Sequence, residues 1–385
     1  MQSQTLKMGR GCAGLSLVEL LIAMVLGLTL AAGVSQVYVG NNQTQRDQEA
    51  HMRMQENGRF AIHFLSRELR MAGYLGCLSA IEPENINNTL NSDEVPSSFQ
   101  PDMGIQGWES DHGNGTAPGD IFNSTDNRGL ESTTSGNWSS SGGNVLDTMD
   151  AMPGSDIVRA WNTSGGGATI NSVSGGAATV VNSTITDLQD GDILLLSDCE
   201  RADWAQACNV QEIQGGASIN SVLSAGCEPG NDVSQGLGST AGGQLVKLQG
   251  TMFYVGKRGG DASNPPALFR RQLNDQAGLG TPEELVEGIE SIQILYGLNT
   301  DNDSRQSVDA WVTADQVPDW GRVISVRISV LVQSIEDNLA AASQPYRFNG
   351  VVYDGAAGNG ALPGDQRYRR VFTSTITLRN RAVGR

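Results

Sequence analysis

One long apolar run stands out from an otherwise mixed chain: Leu15 to Val39, 25 residues whose sole charged side chain is Glu19. At about 1.5 Å per helical residue it is long enough to cross a hydrocarbon core of roughly 30 Å. The helical pattern continues beyond it. No proline occurs from Asn41 to Tyr74, and Phe60, Ala61, Phe64, Leu65 and Leu69 recur at helical spacing, with Arg59, Arg67, Glu68 and Arg70 between them. Leu15 to about Met71 therefore reads as one helix on the order of 85 Å long. Gly27, Gly33, Gly40 and Gly58 weaken it by up to about 1 kcal/mol each relative to alanine. Ala72-Gly73 ends it.

After the helix the period changes. Residues 79–144 are polar, with Pro-Gly, Asn-Gly and Ser-Gly turn signals, and read as long loops without assignable strands. Short apolar runs follow at Asp156–Trp161, Ala178–Ile185 and Asp192–Leu196, then a second loose stretch at Asn209–Gly243. Leu245–Val255 and Ala267–Gln272 read as paired strands around a Gly-Gly-Asp turn. Ile289–Leu298 alternates through Ile292, Ile294 and Tyr296. Arg322–Gln333 alternates through Ile324, Val326, Ile328, Val330 and Val332, and Arg369–Arg379 through Phe372, Ile376 and Leu378. Alternation means one packed face, against which the long helix would lie. The fold class is α+β: a long N-terminal helix, membrane-spanning in its first half, packed on an antiparallel sheet body with Gly/Ser/Asn-rich loops.

Composition narrows the partners. The formal charge of −17 over 385 residues disfavours nucleic acid and anionic lipid, which attract basic patches. No specific nucleic-acid partner is inferred.

Glu19 carries the functional information. An ionised side chain inside an apolar span costs on the order of 2.5–3.5 kcal/mol even on insertion scales, so a partner for the charge is expected. Ahead of the run, residues 1–14 hold Lys7 and Arg10 and no acid. A secretory signal peptide shares that basic start but is cut after its apolar region; a cut near Ala31-Ala32-Gly33 would discard Glu19. A lipoprotein reading of Cys12 fails because no apolar segment precedes it. The pattern Gly14-Leu15-Ser16-Leu17-Val18-Glu19, followed by Leu20-Leu21-Ile22-Ala23-Met24-Val25, closely resembles the type IV prepilin signature. Members usually have Phe where this chain has Leu15.

The resemblance implies cleavage after Gly14 by prepilin peptidase, N-methylation of Leu15, and pairing of Glu19 with the N-terminal amine of a neighbouring subunit. Loss of the leader deepens the formal charge from −17 to −19, since Lys7 and Arg10 go with it. Residues 288–297 (Gly288 to Gly297), 320–327 (Trp320 to Arg327), Gly73-Tyr74-Leu75-Gly76-Cys77 and Arg369-Arg370-Val371-Phe372 resemble islands of PilW-type minor pilins. The implied division is a leader at 1–14, a transmembrane half-helix at 15–39, an amphipathic periplasmic half at 40–75 and a β-rich body at 76–385. The implied partners are other minor pilins, the major pilin, prepilin peptidase, the inner-membrane assembly platform and, in some members, a tip adhesin. Before assembly the chain would be an inner-membrane protein with its body in the periplasm, and afterwards part of an extracellular pilus that it helps to prime.

Without the leader, four cysteines remain: Cys77, Cys199, Cys208 and Cys227. An even number in an oxidising compartment reads as disulfides, with three possible pairings. Zinc needs tight C-x₂₋₄-C spacing, and no two of these lie closer than nine residues. The resemblance favours Cys77–Cys199, which leaves Cys208–Cys227.

Catalytic patterns are weak. The three histidines, His51, His63 and His112, form no H-E-x-x-H motif, and no nucleophile elbow, P-loop or dinucleotide fingerprint occurs. No enzymatic activity, cofactor or metal is inferred. Asn299 to Asp309, with Asp301 and Asp303, is rich in oxygen ligands and reads either as a calcium loop or as an ordinary hairpin turn. Two further functions stay open: a J-type minor pseudopilin of a type II secretion system, which shares the leader, and a membrane-tethered periplasmic binding protein.

Overall fold

In the computed structural model the apolar run and the amphipathic stretch form a single α-helix, α1 (Leu17–Met71). The structure describes residues 16–75, 85–91, 103–110, 138–139, 151–152, 154–174, 177–181, 188–198, 200–213, 216–219, 227, 230–232, 234, 237, 242–261, 263–272, 280–301, 307–356 and 362–380. The chain divides into two compact units, Met1–His51 and Met52–Arg385. In the first unit the large apolar side chains of α1 are exposed on every side, Leu17, Leu20, Leu28, Leu30 and Val37 among them.

In the second unit the remainder of α1 buries a narrow seam: Met54, Gly58, Ala61, Leu65 and Leu69, steps of four, three, four and four. Burying a leucine completely is worth about 1.5–3 kcal/mol. Phe60, which the spacing puts with the core residues, is instead 48 % exposed. It sits one residue, about 100° of rotation, before Ala61 and so falls off the seam. Gly58 has a packing reason to be glycine: a Cβ there would stand 2.3–2.6 Å from three ring atoms of Phe372. The helix stops at Gly73, whose φ of 75° is the left-handed conformation of a helix C-terminus. Gly73 N–H then donates to Trp161 O at 2.8 Å, and Tyr74 O accepts from Thr163 N–H at 2.9 Å, tying the helix end to a strand.

The strands are β1 (Ile86–Asn88), β2 (Ile105–Ser110), β3 (Trp138–Ser139), β4 (Ile157–Ser174), β5 (Ala177–Val181), β6 (Ile193–Ser197), β7 (Ala202–Gln206), β8 (Val210–Ile213) and β9 (Gly216–Ile219). The later ones are β10 (Gln244–Lys257), β11 (Pro266–Gln272), β12 (Glu283–Glu287), β13 (Ile289–Leu298), β14 (Ala310–Val312), β15 (Val323–Gln333), β16 (Tyr346–Phe348), β17 (Val351–Tyr353) and β18 (Arg369–Thr377). A twelve-stranded sheet runs β1-β7-β6-β10-β4-β5-β9-β8, with β11 and β12 attached to β10 and with β2 and β3 attached to β4. A four-stranded sheet has the order β14-β13-β15-β18, and β16 pairs with β17. Among the described residues only β1–β7 is parallel.

The α1 seam shares one core with both larger sheets: Ile105 of β2, Val158 and Ala160 of β4, Phe253 and Val255 of β10, and Ile292, Val326, Val330 and Ile376 from the four-stranded sheet. Alternation in β15 fails at its start. Val323 and Ser325 face Leu298 and Gly297 across a bulge, so Ile324 is the extra residue and Val323 joins the core in its place. Residues 79–144, read as loops, contain β1, β2 and β3, and the loose stretch 209–243 contains β8 and β9.

The two larger sheets are stitched by Gly154-Ser155-Asp156. Asp156 N–H donates to Ile292 O (2.9 Å). Its carboxyl accepts from Ser110 N–H (3.1 Å) and Ile294 N–H (2.7 Å), and Ser155 Oγ accepts from Ile292 N–H (3.0 Å). The segment thus occupies the stretch of β13 that β14, paired only with residues 296–298, leaves open. Burial raises the Asp156 carboxyl well above its ordinary value, and the nearby Glu109 adds to the rise.

Two predictions follow from this packing. Gly58→Ala gains helix propensity, up to about 1 kcal/mol, but must displace the Phe372 ring, and overpacking costs about 1–3 kcal/mol. Denaturation of the full chain in detergent should therefore show G58A destabilising in the wild-type background and stabilising beside Phe372→Ala; the same sign in both backgrounds contradicts the contact. For Asp156 the unfolded pKa is about 3.9 and the folded one lies higher, so the folded state binds the proton more tightly and is favoured at acid pH. That stability is lost as pH rises from about 4 through the folded value. Measured against Asp156→Asn, which does not titrate there, the wild-type unfolding free energy should fall across this window, and a flat difference refutes it.

Candidate functional site

Glu19 lies in the first turn of α1. Ser16 N–H donates to Glu19 Oε2 at 3.4 Å, a long, solvent-exposed contact of the kind that acids make with unpaired amides at helix starts. Glu19 is the only charged residue between Ser16 and Val39. The helix has the length and composition to cross a membrane, and none of its most apolar stretch is buried. Contiguous apolar surface of this extent needs lipid or other helices around it. Gly14 and Leu15 lie outside the described residues.

Cys208 and Cys227 form a disulfide with Cα atoms 6.0 Å apart. Cys77 and Cys199 lie outside the described residues. The staple is reinforced by polar contacts with no signal in the sequence. Asn231 Oδ1 accepts from Gln206 N–H (2.7 Å), and its Nδ2 donates to Gln206 O (3.0 Å). Gly230 N–H donates to Gln206 Oε1 (2.7 Å), and Asp232 N–H donates to Thr89 O (2.6 Å). Segment 230–232 is thereby held against β7 and the residues after β1.

Two buried arginines were also silent in the sequence. Arg369 makes paired bonds to Glu290 (both 2.8 Å) and Asp365 (both 2.7 Å), and burial pushes the Glu290 carboxyl up despite the pull of Arg369. This cluster ties the segment after β17 to β13. Arg159 donates to Gln106 Oε1 at 2.6 Å and lies about 5 Å from the ring centres of both Trp108 and Trp161; burial lowers its pKa to about 9.

The oxygen-rich segment joins β13 to β14. Asp309 Oδ2 accepts from Thr300 N–H (2.7 Å) and Thr300 Oγ1 (3.1 Å), and the Thr300 backbone bond leads the lowering of the Asp309 pKa. Asp301 is described and Asp303 is not. Among the described residues no three His, Cys, Asp or Glu side chains gather as a metal site. His51 and His63 are exposed on α1, and His112 lies outside the described residues.

Residues 9–35, which include Glu19 and the start of α1, match the prokaryotic N-terminal methylation motif. Residues 252–380 match a more particular family model, type IV pilus-assembly protein W (PilW). That match spans β10 from Met252, the four-stranded sheet and Phe372, the partner of Gly58. Among solved structures the chain is similar to a type IV-like pilin from Thermus thermophilus, at 14 % identity and a TM-score of 0.23 over 37 % of this chain and 69 % of that one. No curated protein sequence matches.

Replacing Cys208 and Cys227 together by serine should cost about 3 kcal/mol, as expected for a loop of 19 residues. Chemical denaturation with and without reductant measures it. A double mutant as stable as the oxidised wild type would show that the bond is idle.

Proposed function

We propose that this chain is a PilW-like minor pilin, processed at Gly14–Leu15, methylated on Leu15, and assembled at or near the tip of a type IV pilus. The observation that carries the reading is Glu19: a single carboxylate in an apolar helix, inside the matched methylation motif. In lipid an unpaired carboxylate is costly and a cationic partner relieves it. The Leu15 amine of a neighbouring subunit is that partner, and cleavage before the apolar run creates it while leaving the anchor attached. The protein is then held in the inner membrane with its body in the periplasm until it enters the fibre. A body of about 310 residues (76–385) is bulky for a subunit that repeats along a fibre and suits one that caps and primes it. Its partners are the other minor pilins, the major pilin, the peptidase and the assembly platform, and its role is structural, not enzymatic.

Mass spectrometry of the mature N-terminus should find methylated Leu15; a start near Gly33 refutes the reading. Glu19→Ala should cut piliation at least tenfold while the chain is still processed and membrane-bound. A deletion strain that keeps its pili but loses secreted enzymes would identify a type II pseudopilin instead.

A further inference from the structure

We propose that the outer edge of β18 is a strand-addition site, taking an extended acidic segment of a partner protein as a fifth strand of the four-stranded sheet. The inference rests on the geometry of the unit Met52–Arg385 and holds whether or not the protein enters a fibre.

Three observations support it. The first is that, among the described residues, β18 pairs only with β15. Leu378 N–H donates to Ile324 O at 2.9 Å, which fixes that pair as hydrogen-bonded. In an antiparallel ladder the bonded pairs alternate, so Arg370, Phe372, Ser374 and Ile376 bond to β15. Val371, Thr373, Thr375 and Thr377 therefore turn their N–H and C=O groups to the open side.

The second is that none of the described residues protects this edge. Proteins blunt sheet edges by shortening them, bulging them, or placing proline or charge within them. Every other edge strand among the described residues has five residues or fewer, whereas β18 has nine, with no register shift, proline or central charge. Its open side carries three threonines and a valine, all good strand formers.

The third is charge. Residues 72–365 hold 37 acids against 12 bases, yet residues 366–385 hold six arginines and no acid. Arg369 is spent on Glu290 and Asp365. Arg370 and Arg379, exposed at the two ends of the edge, have no carboxylate partner among the described residues. Phe372 meets Gly58 and Asn380 Nδ2 donates to Met71 O, so the stretch of α1 that carries the exposed Arg59 and Arg70 runs near β18. A second β18 would bring arginine against arginine, so self-pairing is disfavoured. The occupant that fits is extended, forms main-chain bonds, and carries carboxylates at its ends.

The test adds a synthetic seven-residue peptide of alternating valine and threonine with glutamates at both ends to the full chain in detergent, and reads amide hydrogen exchange over 369–380. The acidic peptide should slow exchange there at least fivefold, and its lysine-ended counterpart should not. Thr375→Pro, which removes an outward N–H and no ladder bond, should abolish the protection while the melting midpoint stays within a few degrees. Arg370→Glu with Arg379→Glu should weaken peptide binding about tenfold through loss and reversal of two rim ion pairs, which keeps the test decisive should the proline variant not fold. No protection, equal protection by both peptides, or protection that survives either variant overturns the proposal.

Discussion

The structure depends on how closely one helix approaches one sheet. Between Met54 and Leu69, α1 offers a seam only one residue wide, and at its centre Gly58 lets the Phe372 ring lie directly on the helix backbone. In a helix interior glycine is a liability of up to about 1 kcal/mol. Here the absent side chain lets β18 sit close enough for Ile376 to reach the same core as Leu65 and Leu69. Because β18 orders β15, and β15 orders β13, the four-stranded sheet inherits its position from that contact. The matched stretch 252–380 covers the sheet side of this packing.

A second constraint joins the two larger sheets, and it is polar. Ser155 and Asp156 satisfy backbone amides of β13 that no described strand covers, at the cost of a carboxyl group removed from water. Buried polar groups of this kind are tolerated when hydrogen-bonded and expensive otherwise. They also explain why β2 is wholly buried while its sequence, Ile-Gln-Gly-Trp-Glu-Ser, looks like a loop. Gln106 meets Arg159, Ser110 Oγ accepts from Gly154 N–H, and Gly107 makes room for Tyr296.

This sets what could be read from the sequence. Periodicity revealed α1 to within two residues, and it revealed β10, β11, β13, β15 and β18, because each pays for its burial with apolar side chains at the right spacing. It missed β2 and β7, where Asp203 and Gln206 are as buried as Trp204, since partners distant in the chain leave no local signature. It also misplaced Phe60, where one residue of helical phase decides which side faces inward. Glu19 stood out in the sequence as a lone charge in an apolar run, and it lies inside the matched methylation motif. Asn231 and Arg369 did not stand out, because asparagine and arginine are ordinary in loops and at strand ends until a fold brings Gln206, Glu290 and Asp365 to them.

What the fold satisfies internally and what it leaves open separate cleanly. Arg369, buried, has two carboxylates; Arg370, its exposed neighbour in sequence, has none among the described residues. The same contrast distinguishes Asp156, whose buried carboxyl accepts from two backbone amides, from Glu19, whose one hydrogen bond among the described residues is long and exposed. Groups enclosed by a chain must find partners within it, since water cannot serve them. Glu19, on a helix with its apolar surface uncovered, and the outward amides of β18 are groups for which the described residues supply little or nothing, and both have chemistry that a neighbouring polypeptide can complete.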